Sequence, residues 1–225
     1  MARSGRRRRG LFITLEGIEG SGKSTQAKRL GAYLRSRGFT TVETREPGGT
    51  PLAEKIRAVL LDRSTEPFAP ETEAFLVFAA RRQHVSQVIE PALARDAVVL
   101  CDRFSDSTLA YQGFARGLNL NALKTMNRLA THETTPDLTL LFDLPVKSGL
   151  ARRRSTTGNN RLDRETARFH RNVRAGFLAL AKREPHRVKV IDAARDADAI
   201  ARDVEQLIDS VLRQSGRRRA RHAVR

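Results

Sequence analysis

No stretch of this chain restricts its possible folds more than Gly17-Ile18-Glu19-Gly20-Ser21-Gly22-Lys23-Ser24. It follows Leu11-Phe12-Ile13-Thr14-Leu15, a continuous apolar run of the kind buried at the centre of a parallel sheet. It opens a segment, Ser24 to Ser36, in which Ala27, Leu30 and Leu34 recur at helical spacing while Lys28, Arg29 and Arg35 face away. A turn of the form G-x-x-x-x-G-K-[ST] between strand and helix lets main-chain N–H groups converge on phosphates. The helix start adds partial positive charge, the lysine reaches the terminal phosphates and the Ser hydroxyl ligates Mg2+. The competing reading is an ordinary glycine-rich turn. The pattern predicts a nucleoside triphosphate site formed by Gly17, Ile18, Glu19, Gly20, Ser21, Gly22, Lys23, Ser24 and Thr25, with Ser24 as a metal ligand.

The rhythm repeats along the chain. Thr40 to Thr44, Ala97 to Cys101, Leu138 to Phe142 and Val188 to Ile191 read as four more strands. Leu52 to Leu61 and Glu71 to Arg95 read as helices, the second stopped or bent near Pro91. Strands alternating with helices predict an α/β chain: a three-layer fold of the P-loop NTPase type, with a five-stranded parallel sheet and helices on both faces. Arg152 to Arg164 breaks the pattern, being Arg-rich and nearly free of apolar residues, and reads as a mobile lid spanning about residues 150–165. The 42 basic against 25 acidic residues give +17, but five arginines lie within residues 1–9 and six within residues 213–225, with no acid in either. The expected organisation is one domain at residues 10–212 between two disordered basic arms, whose contact with nucleic acid would be non-specific. No run is long enough to cross a bilayer, and one cysteine, Cys101, fits a reducing compartment, so the expectation is a cytoplasmic protein without membrane partners.

No N-K-x-D string reads guanine, so the acceptor side must separate a switch from a kinase. At Cys101-Asp102-Arg103-Phe104 an apolar strand delivers an acid and an arginine to its carboxyl end, where ligands bind in parallel sheets. Asp102 would orient Mg2+ or its waters and Arg103 would clamp a phosphate, the alternative being a structural ion pair. Three strings in order, GIEGSGKS, TREPGGT (Thr44 to Thr50) and DRFSDSTLAYQG (Asp102 to Gly113), resemble the bacterial thymidylate kinase family over residues 10–212.

That resemblance implies transfer of the γ-phosphoryl group of ATP to dTMP, giving dTDP and ADP with Mg2+, in a homodimer. It implies that Arg103 binds the acceptor phosphate with help from Arg57, and that Glu46 and Pro47 shape the loop beside it. Phe78 would stack on thymine. The arginine at its carbonyl edge is Arg82 by distance from the aromatic, or Arg81 by the alignment of Gln83-His84, and core packing of Phe78 is the alternative. Ser107, Thr108, Tyr111 and Gln112 would hold base and sugar, with Tyr111 crowding out a 2′-hydroxyl. Glu19 would lie near the acceptor sugar. Arg152, Arg153, Arg154 and Arg161 would serve from the lid over ATP, with Arg153 and Arg161 taken as catalytic. The five histidines show no metal spacing and read as structural or solvated. The rivals are another nucleotide or nucleoside kinase, and an ATP-binding protein acting on nucleic acid through its arms.

Overall fold

The structure, a computed structural model, describes residues 10–63, 66–154 and 160–223. Its sheet has five parallel strands in the order β2-β3-β1-β4-β5: β1 Leu11–Glu16, β2 Thr41–Arg45, β3 Val98–Asp102, β4 Leu138–Asp143 and β5 Val188–Asp192. Each strand runs one residue beyond the end its apolar pattern marks, and each of those extra residues (Glu16, Arg45, Asp102, Asp143 and Asp192) is charged. Backbone pairing continues where hydrophobicity stops, which places a row of ionisable groups along the carboxyl edge of the sheet, as in open parallel sheets that bind ligands there.

β1 is buried throughout and lies between β3 and β4, with Leu15 in register with Asp102. Its alternation feeds two cores. Leu11, Ile13 and Leu15 pack with Leu30 and Leu34 of α1 (Lys23–Ser36), Phe177 of α8 (Ala167–Arg183) and Ile208 of α9 (Ala197–Ala223). On the opposite face Phe12 packs with Val85, Ile89, Leu93 and Phe104. A third cluster joins α3 (Pro70–His84), α6 (Leu120–Thr131) and α8 through Ala74, Phe78, Leu123 and Leu180.

The stretch read as one helix over Glu71 to Arg95 is α3, a widened π-helical turn at Val85–Ile89, and α4 (Glu90–Ala94). The departure lies just upstream of Pro91, whose ring and missing N–H disturb the ladder of the preceding turn. A second widened turn, Leu109–Ala115, continues α5 (Ser105–Thr108) and turns Tyr111 and Gln112 toward the carboxyl edge of the sheet. α2 (Pro51–Leu61) is capped by Thr50, whose Oγ1 accepts from Ala53 N. The expected lid begins as helix, α7 (Val146–Arg154), and ends in a 3-10 turn, Arg161–Arg164, closed by a capping box between Asn160 and Asp163. At the other end α9 continues to Ala223, so the backbone of 213–223 is helical where a disordered tail was expected. Residues 1–9, the expected N-terminal arm, lie outside the described residues. No helix among the described residues is long and apolar enough to cross a membrane.

Candidate active site

The loop between β1 and α1 is built as its glycines dictate. Gly17 (φ 140°) and Gly20 (φ 73°) occupy conformations that side chains resist, and a Cβ on either would strike a backbone oxygen, that of Phe142 or of Gly149. Ile18 anchors the loop in the core. Lys23 Nζ donates to Gly17 O (3.0 Å), Ile18 O (2.8 Å) and Ser21 Oγ (3.3 Å), so its ammonium lies within the curve of the loop. Burial, with Arg103 adding like-charge repulsion, lowers its pKa to about 8. Ser24 Oγ donates to Asp102 Oδ2 at 2.8 Å, and Thr25 is exposed in the first turn of α1. A hydroxyl beside one carboxylate suits Mg2+, which keeps waters and phosphate oxygens for its remaining positions. Among the described residues no group of three His, Cys, Asp or Glu could cage a metal.

Arg103 occupies the left-handed region (φ 71°), and its backbone is held by N–H donation to Leu15 O at 2.9 Å. Its guanidinium donates to Gly17 O (3.0 Å), Ser107 Oγ (3.3 Å) and Glu19 Oε1 (3.1 Å), and lies 5.1 Å from the centre of the Tyr111 ring. Tyr111 OH donates to the same Glu19 oxygen at 2.6 Å. Burial works against both charges. It is outweighed at Arg103 by Tyr111, Glu19 and Asp102, which raise its pKa, and at Glu19 by Arg103, His170 and Lys23, which hold the carboxyl well below the usual range. The carboxylate inside the phosphate loop is therefore turned away from the phosphate side and onto an arginine and a phenol.

Beneath this cluster is Glu16, which the sequence reading passed over. It accepts from Phe104 N (2.8 Å), Ser107 N (3.3 Å) and Ser107 Oγ (2.6 Å), and so shapes the turn that carries Arg103. Burial and the neighbouring Asp106 raise its pKa to about 7.

Beyond Arg103 opens a pocket. Glu46, Pro47, Ser107, Thr108, Tyr111 and Gln112 all line it, as does Arg81. Arg81 is 1 % exposed and held through two of its nitrogens: Nε donates to Glu46 Oε2 (2.7 Å), Nη1 to Thr108 Oγ1 (2.9 Å) and Asn127 Oδ1 (2.8 Å), and the guanidinium stacks 5.0 Å over Phe104. Arg82 points outward, 3.7 Å from Glu90 at the surface, so of the two arginines only Arg81 reaches the pocket. Phe78 does not line it. It is buried in the cluster with Ala74 and Leu123, and Val77, one position earlier on α3, supplies the wall where an aromatic ring was expected. Adjacent helical positions point about 100° apart, so one residue of register decides between core and pocket. Arg57 is lodged against Pro47 O at 2.7 Å, behind the lining.

Arg161 lies at the pocket. It donates to Glu73 Oε2 (2.6 Å) and Leu60 O (3.0 Å), and stacks 4.7 Å over Phe68. Glu73, also unforeseen, accepts from Gln112 Nε2 (2.7 Å) and Arg116 Nη2 (3.2 Å) as well. Arg153 pairs with Asp163 at 2.9 Å on α7, whose Gly149 backs directly onto Gly20 and Glu19. Arg152 donates to Ala193 O at 3.1 Å, and the side chain of Arg154 lies outside the described residues.

Residues 15–204 match the family model described as Thymidylate kinase. The thymidylate kinase of Pseudomonas putida strain GB-1 is 51% identical over 203 residues, covering 90% of this chain and 97% of that one. That of Geobacter sulfurreducens is 52% identical over 205 residues, covering 88% and 96%. Among solved structures, the crystal structure of thymidylate kinase from Ehrlichia chaffeensis superimposes with a TM-score of 0.72 at 34% identity, covering 88% of this chain and 98% of that one.

Proposed function

Since the chain belongs to the thymidylate kinase family and transfers the γ-phosphoryl group of ATP to dTMP, giving dTDP and ADP, we propose how its own residues divide that work. The observation that carries the assignment is a shared wall. Arg103 lines the pocket and at the same time donates to Gly17 O of the phosphate loop, so an acceptor in the pocket and ATP on the loop meet at one guanidinium.

The amides of Gly17 to Thr25 and Lys23 receive the triphosphate. Ser24 and Asp102 would hold the Mg2+ that accompanies ATP, which when bound neutralises charge on the transferring phosphates. Arg103 takes the phosphate of dTMP, with Glu19 and Tyr111 fixing the direction of its guanidinium. Arg81, immobilised by Glu46, Thr108 and Asn127, turns a rigid cationic edge to the base, and Val77 and Phe104 supply apolar wall. Arg153, beside the phosphate loop, is the lid arginine placed to serve ATP, whereas Arg161 closes the acceptor pocket with Glu73.

No proton need be removed. A phosphate monoester with a second pKa of ~6 is largely a dianion at neutral pH, so catalysis reduces to alignment and charge neutralisation. The clustering of arginines rather than histidines around the pocket supports that reading. Exposed Leu52 and Val59 on α2, Phe75 on α3 and Leu129 on α6, three neighbouring helices, support the homodimer. A cytoplasmic location rests on the single cysteine, buried in β3.

Arg103→Ala tests the division. KM for dTMP should rise about 10- to 100-fold, the scale of hydrogen bonds to a charged group, with ADP affinity changed less than about twofold. Unchanged dTMP kinetics would remove Arg103 from the acceptor site.

A further inference from the structure

Three buried side-chain atoms among the described residues have no hydrogen-bond partner: Glu19 Oε2 and both ring nitrogens of His170. Two of them face each other. His170 Nδ1 lies 3.3 Å from Glu19 Oε2, within ion-pair distance but out of line for a hydrogen bond. His170 lies on α8, 1 % exposed, its ring edge-on to Phe169 at 5.5 Å. A buried polar atom without a partner requires an explanation, and here each of the two atoms is the nearest remedy for the other.

The two oxygens of Glu19 are unequally used. Oε1 takes both Tyr111 OH (2.6 Å) and Arg103 Nη2 (3.1 Å), leaving Oε2 to α8. With nothing on that second oxygen, the carboxylate could pivot about its Cγ–Cδ bond and release one of the donors on the first. We propose that His170 is a positioning residue for the kinase reaction: with Nδ1 3.3 Å from Glu19 Oε2, a small turn of the ring brings Nδ1–H into line with that oxygen, and the bond then stops the pivot and holds Arg103 and Tyr111 in the attitude that receives the acceptor nucleotide. The proposal rests on the reading of Glu19, Arg103 and Tyr111 as the acceptor clamp. It assigns a role to a residue that no motif singles out and that does not line the pocket. The plain alternative is a ring that fills space beside Phe169, for which any flat aromatic would serve.

Four variants separate these: His170→Phe and His170→Gln, each alone and combined with Glu19→Gln, with steady-state kinetics in dTMP and in ATP. If His170 acts through Glu19, His170→Phe raises KM for dTMP about tenfold, the effect of one hydrogen bond, while KM for ATP moves less than about twofold. His170→Gln, which keeps a donor and loses the ring, recovers most of the loss. In the Glu19→Gln background His170→Phe adds nothing, because there is no carboxylate left to hold. A neutral His170→Phe, an equal loss in both backgrounds, or a His170→Gln worse than His170→Phe each overturns the proposal. Should His170→Phe not fold, imidazole nitrogen resonances of the unaltered enzyme decide. A ring protonated at Nδ1 whose signal moves in Glu19→Gln supports the proposal, and a ring protonated only at Nε2, or one indifferent to Glu19, overturns it. If instead Arg103→Ala leaves dTMP kinetics unchanged, the underlying clamp reading fails, a result that none of these variants reproduces.

Discussion

Replacing Glu16 by glutamine should make the protein progressively more stable relative to its parent as the pH rises. Glu16 is fully buried at the end of β1, and its pKa rises from 4.5 to about 7, first through burial and second through Asp106. An acid with a raised folded-state pKa binds its proton more tightly when folded. Stability from this group is therefore whole below 4.5, declines as the unfolded chain ionises between 4.5 and 7, and is level once both states are charged. Between pH 5 and pH 8 that decline amounts to about 2.5 kcal/mol at 1.36 kcal/mol per pKa unit. Glutamine cannot ionise, yet its amide oxygen can accept from Phe104 N and its NH2 can donate to Ser107 Oγ, so the turn keeps its shape. Urea denaturation of both proteins at half-unit intervals from pH 5 to pH 8 should show the gap widening in the variant's favour by that amount, or about 5–10 °C in Tm for a chain of this size. Removing an anion beside Arg103 should cost dTMP affinity at the same time. A gap that stays constant or closes would mean that the hydrogen bonds from Phe104 and Ser107 outweigh desolvation, and the account of this charge would be wrong.

Arg81→Met should destabilise by about 3–5 kcal/mol, because it strands the buried Glu46 carboxylate, while Arg82→Met should stay within about 0.5 kcal/mol. Equal losses in denaturation experiments would contradict the contrast between the two arginines. Lys23→Ala should lower kcat about 10²- to 10³-fold in a coupled ADP-release assay, as expected for removing a preorganised charge at the transferring phosphate, and retention of most turnover would exclude that role. Phe75→Glu with Leu129→Glu should convert a dimer to monomer in sedimentation velocity, and an unchanged sedimentation coefficient would place the interface elsewhere.

The parts of this molecule legible in sequence are those governed by local rules. Five apolar strands and a glycine loop have signatures that do not depend on what packs against them, and both are found where the pattern puts them. The pocket was legible only where motifs cross it. Glu73, Val77 and Arg81 recur every four residues along one face of α3 and all line the cavity, a spacing visible in the sequence but masked by the stronger apolar signal of Phe75 and Phe78. Arg161 was read with its neighbours in an arginine-rich stretch. Only the fold reveals that Glu73, 88 positions earlier, draws it to the pocket wall. Glu16 lies one residue past the apolar run of β1 and His170 among the arginines of α8, and neither letter gives a hint of its neighbour in space.

Asp102 and Arg103 are consecutive, yet the first faces Ser24 and the second faces Glu19, because the left-handed turn at Arg103 sends the two side chains apart. The side chain that meets the phosphate loop's Ser24 and the one that meets Glu19 are thus fastened to opposite ends of one planar peptide, whose Cα atoms stand about 3.8 Å apart. A shift of the end of β3 therefore carries the Ser24 contact and the Glu19 contact together.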